Sequence, residues 1–154
     1  MEEIYNSVLD TMDHKERVRS LLYTFSVLLK IRGVNHDNSK LGDFEKPYFD
    51  ELTPKLKNLE YGSDKYKESL SELQVALKHH YENNSHHPEH YENGIDGFDL
   101  LDLCEMFFDW TAATERTKDG DILKSIEINK NRFNMSDQLV NIFNNTVKTL
   151  KNDE

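Results

Sequence analysis

This 154-residue sequence has one cysteine, three prolines, six glycines and no long apolar run. A lone Cys104 excludes an intrachain disulfide framework and any zinc site built on a CxxC pair. A membrane-spanning helix needs about 20 apolar residues in succession, and no stretch here approaches that. The acidic opening Met1-Glu2-Glu3 is unlike a signal peptide. Together these absences predict an intracellular, cytoplasmic protein that does not engage a membrane. Basic residues are few as well, 19 against 29 acidic, for a net charge near −10. Proteins grip nucleic-acid backbones by neutralising phosphates with Lys and Arg, so an extensive nucleic-acid surface is not expected. A small phosphate-bearing substrate stays compatible, because a bound metal ion inverts the local potential.

The sequence is rich in helical periodicity. Ile4, Val8 and Leu9 are spaced for a helix over 3–12. Val18, Leu21, Leu22, Phe25, Leu28 and Leu29 form an i, i+3, i+4, i+7 stripe between Asp13 and Arg32. Asp13 is the expected N-cap of this second helix and Gly33 its stop. Further helices are expected over 45–52, broken at Pro54, and over 63–81, with Tyr66, Leu70, Leu73, Val75 and Leu77 on its buried face. Residues 83–98 hold Asn-Asn-Ser, a Pro and two Gly and should be irregular. Residues 99–114 carry Leu100, Leu101, Leu103, Met106, Phe107, Phe108 and Trp110 and should form the most buried helix. A turn at 117–120 and helices over 121–133 and 136–151 complete the chain. No segment shows sustained period-2 alternation. The expected fold is all-α, a single helical domain over 1–150 with six to seven helices and a frayed end at 151–154.

Seven histidines fall into three groups: His14, the adjacent pair His36-Asp37, and His79, His80, His86, His87 and His90 within twelve positions. Asp102, Glu105 and Asp109 lie on one helix at spacings of three and four, which stack on one face. A carboxylate on the buried face of so apolar a helix requires a counter-charge. A divalent metal supplies one, and His and Asp are its expected ligands. Each group also has an ordinary explanation, as a helix cap, a chance neighbour pair or a dipole-facing helix end. It is their combination that points to a metal.

Read in order, these pieces resemble the HD superfamily of metal-dependent phosphohydrolases. His14-Lys-Glu-Arg17-Val18 stands at the place of that family's opening His, and His36-Asp37-Asn38-Ser39-Lys40-Leu41 resembles its His-Asp-Ile-Gly-Lys stretch. His79-His80 and the 86–90 loop resemble the extra histidines of the HD-GYP branch, although the Gly-Tyr-Pro signature is absent. The family's last metal Asp has two counterparts, Asp109 and Asp102, with Asp109 the slightly better match. The stretch from His79 through Arg132 is also similar to a small family of phage and bacterial proteins catalogued as a domain of unknown function (DUF5662-like).

The resemblance implies an HD-type helical bundle and hydrolysis of a phosphomonoester or phosphodiester, with a nucleotide or cyclic nucleotide as substrate. It implies one to three divalent or redox metal ions, with Fe, Mn, Zn, Ni and Co all compatible. Its metal ligands would come from His14, His36, Asp37, His79, His80, His86, His87, His90, Asp102 and Asp109. Lys40 would offset phosphoryl charge, Arg116 or Arg132 would bind a second phosphate, and Glu89 and Glu105 would orient ligand imidazoles. Lys40, Asp37, Glu89 and Glu105 are thus the expected catalytic residues. The phage and bacterial relatives place the chain in a bacterial cell or a phage-infected host, and a homo-oligomer stays open. Two other readings carry different tests: a non-catalytic metal- or nucleotide-binding module, and a di-iron HD-type oxygenase.

Overall fold

The computed structural model describes residues 5–58, 64–116 and 118–152. Six α-helices account for most of these residues: α1 (Ser7–Asn35), α2 (Lys46–Asn58), α3 (Asp64–Asn83), α4 (Leu100–Glu115), α5 (Ile122–Phe133) and α6 (Asp137–Asn152). Short 3-10 turns lie at Asn38–Leu41, Pro88–His90 and Gly94–Gly97. Among the described residues there is no strand, as the missing alternation predicts, and no helix is long and apolar enough to cross a membrane.

The chain divides into two units, Met1–Asn35 and His36–Glu154. The first is α1. The sequence predicts two helices here, separated at Asp13 and ended by Gly33, but α1 runs unbroken through both positions. No proline or turn dipeptide interrupts the ladder near Asp13, so each residue there keeps its i→i−4 hydrogen bond. Glycine costs a helix only about 1 kcal/mol relative to Ala, too little to stop it. No described residue of α1 is buried, and Leu21 and Leu22 are exposed.

Among the described residues, the second unit holds two apolar clusters. Met106 and Phe107 of α4, Ile122 and Ile126 of α5, Met135, and Val140, Phe143 and Val147 of α6 form the larger one. Stacked rings of Phe107 and Phe143, with centroids 5.2 Å apart, tie α4 to α6. Leu100 and Phe108 stay exposed on the outer side of α4. Leu52 of α2 and Leu73 and Ala76 of α3 form the smaller cluster, with Tyr48, Phe49 and Leu77 packed against it. Val75, expected on the buried face, is half exposed because it lies off the Leu73–Ala76 stripe. The side chains of Tyr66 and Leu70 lie outside the described residues, as do residues 59–63. Pro54 does not break α2 but sits inside it. α6 runs to Asn152, and the two residues after it fall outside the described set.

The segment between α3 and α4 is irregular, as its Asn, Pro and Gly content predicts, yet it is firmly anchored. Asp99 caps α4, its side chain accepting from the Leu101 and Asp102 amides, and Asp102 reaches back to the Asp99 amide in a capping box. Asp102 Oδ1 also accepts from Ser85 Oγ at 2.6 Å, and Oδ2 from the Tyr91 hydroxyl at 2.8 Å. Gly97 lets the Tyr91 ring lie against the backbone, since a Cβ there would sit 2.8 Å from Tyr91 Cβ. Thus α4's first turn fixes the loop that carries His86 and His87.

Candidate metal centre

His36 and Asp37 open the second unit, directly ahead of the 3-10 turn at Asn38–Leu41. Asp37 adopts a left-handed conformation, φ 57° and ψ 16°. Asp and Asn tolerate this region better than most residues. The Lys40 amide bonds back to the Asp37 carbonyl at 2.9 Å and closes the turn. Lys40 Nζ lies 2.6 Å from Asp37 Oδ2. The other carboxylate oxygen, Oδ1, faces the histidines of α3 and the loop after it.

His80 Nε2 lies 3.2 Å from Asp37 Oδ1, and His86 Nε2 lies 3.6 Å from the same oxygen. His87 Nε2 lies 2.9 Å from His80 Nε2. One ligand atom from each of Asp37, His80, His86 and His87 falls within 4.8 Å of the others. His80 and His86 are buried, at 0% and 2% exposure.

The opposite nitrogens of these rings are held by carboxylates. His80 Nδ1 bonds Glu45 Oε2 at 3.0 Å, and His86 Nδ1 lies 3.0 Å from Glu105 Oε1. His36 Nδ1 bonds the same Glu105 oxygen at 2.8 Å. An ionised carboxylate only accepts, so each of these rings donates from Nδ1, and in neutral His80 and His86 the Nε2 lone pair is left free. His36 Nε2 then points between Asp37 Oδ2 at 3.6 Å and Asp109 Oδ1 at 3.5 Å.

The electrostatics are those of an acidic pocket crossed by imidazoles. The Asp109 and Glu105 carboxylates raise His36 to about 10, against the opposing effect of burial. Burial alone would raise Asp37, but the adjoining His80 imidazole and the Lys40 ammonium hold it well below the usual carboxylate range. Burial likewise acts upward on Asp109, and its bond to His36 brings it lower. Burial, with His86 and His80 alongside, pushes His87 down to about 3. His87 is therefore a neutral imidazole at physiological pH, the form that ligates a metal.

Two atoms at the focus have no hydrogen-bond partner: Asp37 Oδ1 and His86 Nε2, both buried. A buried polar atom without a partner costs about 1–3 kcal/mol, and more when charged. These atoms face each other across a gap to which His80 and His87 also contribute nitrogens. The donor set, three imidazoles and one carboxylate, suits a divalent transition metal. The residues present fit a metal ion.

The remaining residues singled out from sequence take other places. His14 is exposed on α1, in the first unit, and belongs to neither of the two clusters found among the described residues. His79 turns its Nδ1 to Glu45 Oε1 at 2.7 Å and stacks on Phe44, outside the group of four. His90 donates from Nδ1 to the Tyr81 carbonyl. Asp102 is spent on the capping box, Ser85 and Tyr91, whereas Asp109, two turns further along the same face of α4, reaches His36. Glu89 pairs with Arg132 at 2.6 Å, and Arg116 forms the exposed C-cap of α4. Sequence reading missed Glu45, which is wholly buried between His79 and His80. Its one local signal is a charged residue at the start of a helix, which is commonplace.

Compared with known proteins, the chain matches the model of a family of unknown function (DUF5662) over residues 3–149. No curated protein and no solved structure matches it.

Proposed function

We propose that this chain, which belongs to the family of unknown function DUF5662, is a metal-dependent phosphohydrolase acting on a nucleotide or cyclic nucleotide. The observation that carries the reading is the convergence of Asp37 Oδ1 and the Nε2 atoms of His80, His86 and His87, two of the four atoms lacking any hydrogen bond. Asp37, His80, His86 and His87 would hold one ion. Asp109 and the second oxygen of Asp37, with His36 once its Nε2 proton is displaced, would offer donors for another. A divalent ion held there supplies Lewis acidity, polarising a phosphoester and making water a better nucleophile at neutral pH.

The chain's own residues do the rest. Glu45 and Glu105 orient the imidazoles, a support worth about 10–100-fold in metal affinity at other sites. Lys40, partly exposed beside Asp37, is placed to offset charge on a phosphoryl oxygen. The resemblance of His36-Asp37 and its Lys40 to the HD phosphohydrolases supports phosphoester chemistry over other metal chemistry.

Elemental analysis of protein purified without chelator, followed by phosphate release from mono-, di- and cyclic nucleotides, tests this reading. One to three equivalents of Fe, Mn, Zn, Ni or Co with turnover is the expected result. Stoichiometric metal without release from any of these substrates makes the chain a metal-binding module. No metal, and none taken up on addition, refutes the site.

A further inference from the structure

We infer that Glu45 is a positioning residue, one buried carboxylate that sets the tautomers of two adjacent imidazoles and so aims His80 inward and His79 outward. The inference rests on the metal-binding reading above and concerns a residue outside the ligand set.

Glu45 stands at the residue before α2, where its carbonyl accepts the Phe49 amide at 3.1 Å. Its backbone is therefore fixed by the start of that helix. Packing of Leu52 against Leu73 and Ala76 lays α2 along α3, which brings Glu45 to the last turn of α3. There its side chain is 0% exposed. An ionised carboxylate so placed is costly unless each oxygen finds a donor. Oε1 takes His79 Nδ1 at 2.7 Å and Oε2 takes His80 Nδ1 at 3.0 Å.

His80 Nδ1 has two other neighbours, Ser39 Oγ at 3.1 Å and Asn84 Nδ2 at 3.0 Å. The Asn84 amide already spends its two hydrogens on Ser39 Oγ and the His80 carbonyl, leaving none for the ring. Glu45 is thus the strong acceptor at that nitrogen, and the proton sits on Nδ1. The His80 Nε2 lone pair then faces Asp37 and His87. Adjacent residues on a helix project about 100° apart, so the same carboxylate directs the His79 Nε2 lone pair away from that cluster, where the ring is a third exposed beside Phe44.

The test compares wild type, Glu45→Gln and His79→Gln. Mn2+ is titrated into each apoprotein, and 15N–1H correlation spectra of histidine-labelled apoprotein report the tautomers. A Gln amide is neutral and can accept from only one imidazole, so in Glu45→Gln His80 either faces the amide nitrogen and moves its proton to Nε2 or keeps only a weak, uncharged acceptor at Nδ1. Mn2+ affinity should fall about 10–100-fold in Glu45→Gln, while His79→Gln binds like wild type. Wild-type His79 and His80 should both carry the proton on Nδ1. If wild type binds Mn2+ and Glu45→Gln binds it equally well, the inference falls and the metal site stands. If wild type takes up no Mn2+, both fall. Should Glu45→Gln fail to fold, the wild-type spectrum decides: a proton on Nε2 of His80 overturns the inference.

Discussion

Replacing Asp37 by Asn tests the centre with the least disturbance to the backbone. Asp37 holds φ 57°, and most residues other than Gly, Asn and Asp lose about 1–2 kcal/mol there. Asp37→Ala would mix that strain with loss of the ligand, whereas Asn keeps the conformation and removes only the charge. A metal that binds the folded chain alone stabilises it by RT ln(1 + [L]/Kd), about 2.7 kcal/mol at 100 times Kd. For a chain of this size, about 2–4 °C per kcal/mol converts that to a rise in Tm of roughly 5–11 °C. Asp37 supplies the one carboxylate of the four-atom group, with Oδ1 3.2 Å from His80 Nε2. Its loss should cost at least the roughly 100-fold upper figure for outer-sphere partners. At the same metal concentration the stabilisation then shrinks to about 0.4 kcal/mol, a shift of about 1–2 °C. Thermal unfolding followed by circular dichroism, with and without Mn2+, measures both. A variant that keeps the full wild-type shift refutes the placement of the ion at Asp37.

Three further outcomes are expected. Asp102→Ala removes the buried acceptor shared by the Tyr91 and Ser85 hydroxyls and part of the α4 capping box; urea unfolding should show a loss of about 2–4 kcal/mol. Gly97→Ala places a methyl within 2.8 Å of Tyr91 Cβ, and the overpacking should cost about 1–3 kcal/mol by the same assay; a neutral result would show that the loop yields freely. Burial and the nearby Asp99 raise the Cys104 thiol, so its alkylation by iodoacetamide should lag that of free cysteine at pH 8. The lag should narrow as pH rises through the raised value, because only the thiolate reacts.

Much of the helical order was legible in the sequence, because periodicity and caps act within a few residues. The helices expected over 99–114 and 121–133 are present as α4 and α5, and their first expected residues, Asp99 and Asp121, are the N-caps. The His36-Asp37 pair and the histidine cluster also stand out locally, since chain neighbours stay close in any fold. Punctuation was less legible: Asp13 and Gly33 lie inside α1, and Pro54 inside α2, because one unfavourable residue costs less than a helix loses by ending there. Tertiary structure decided which acid serves which histidine. Glu105 meets His36 across 69 positions and Glu45 meets His79 across 34, separations that no periodicity encodes. Asp102 and Asp109 look alike on a helical wheel, yet the first turn of α4 consumes Asp102 as a cap while Asp109, two turns on, reaches the imidazoles. His79 and His80 are neighbours in sequence, but the roughly 100° step of a helix sends them to different surroundings. Only the packing of α2 on α3 determined which of the two would be buried beside Asp37.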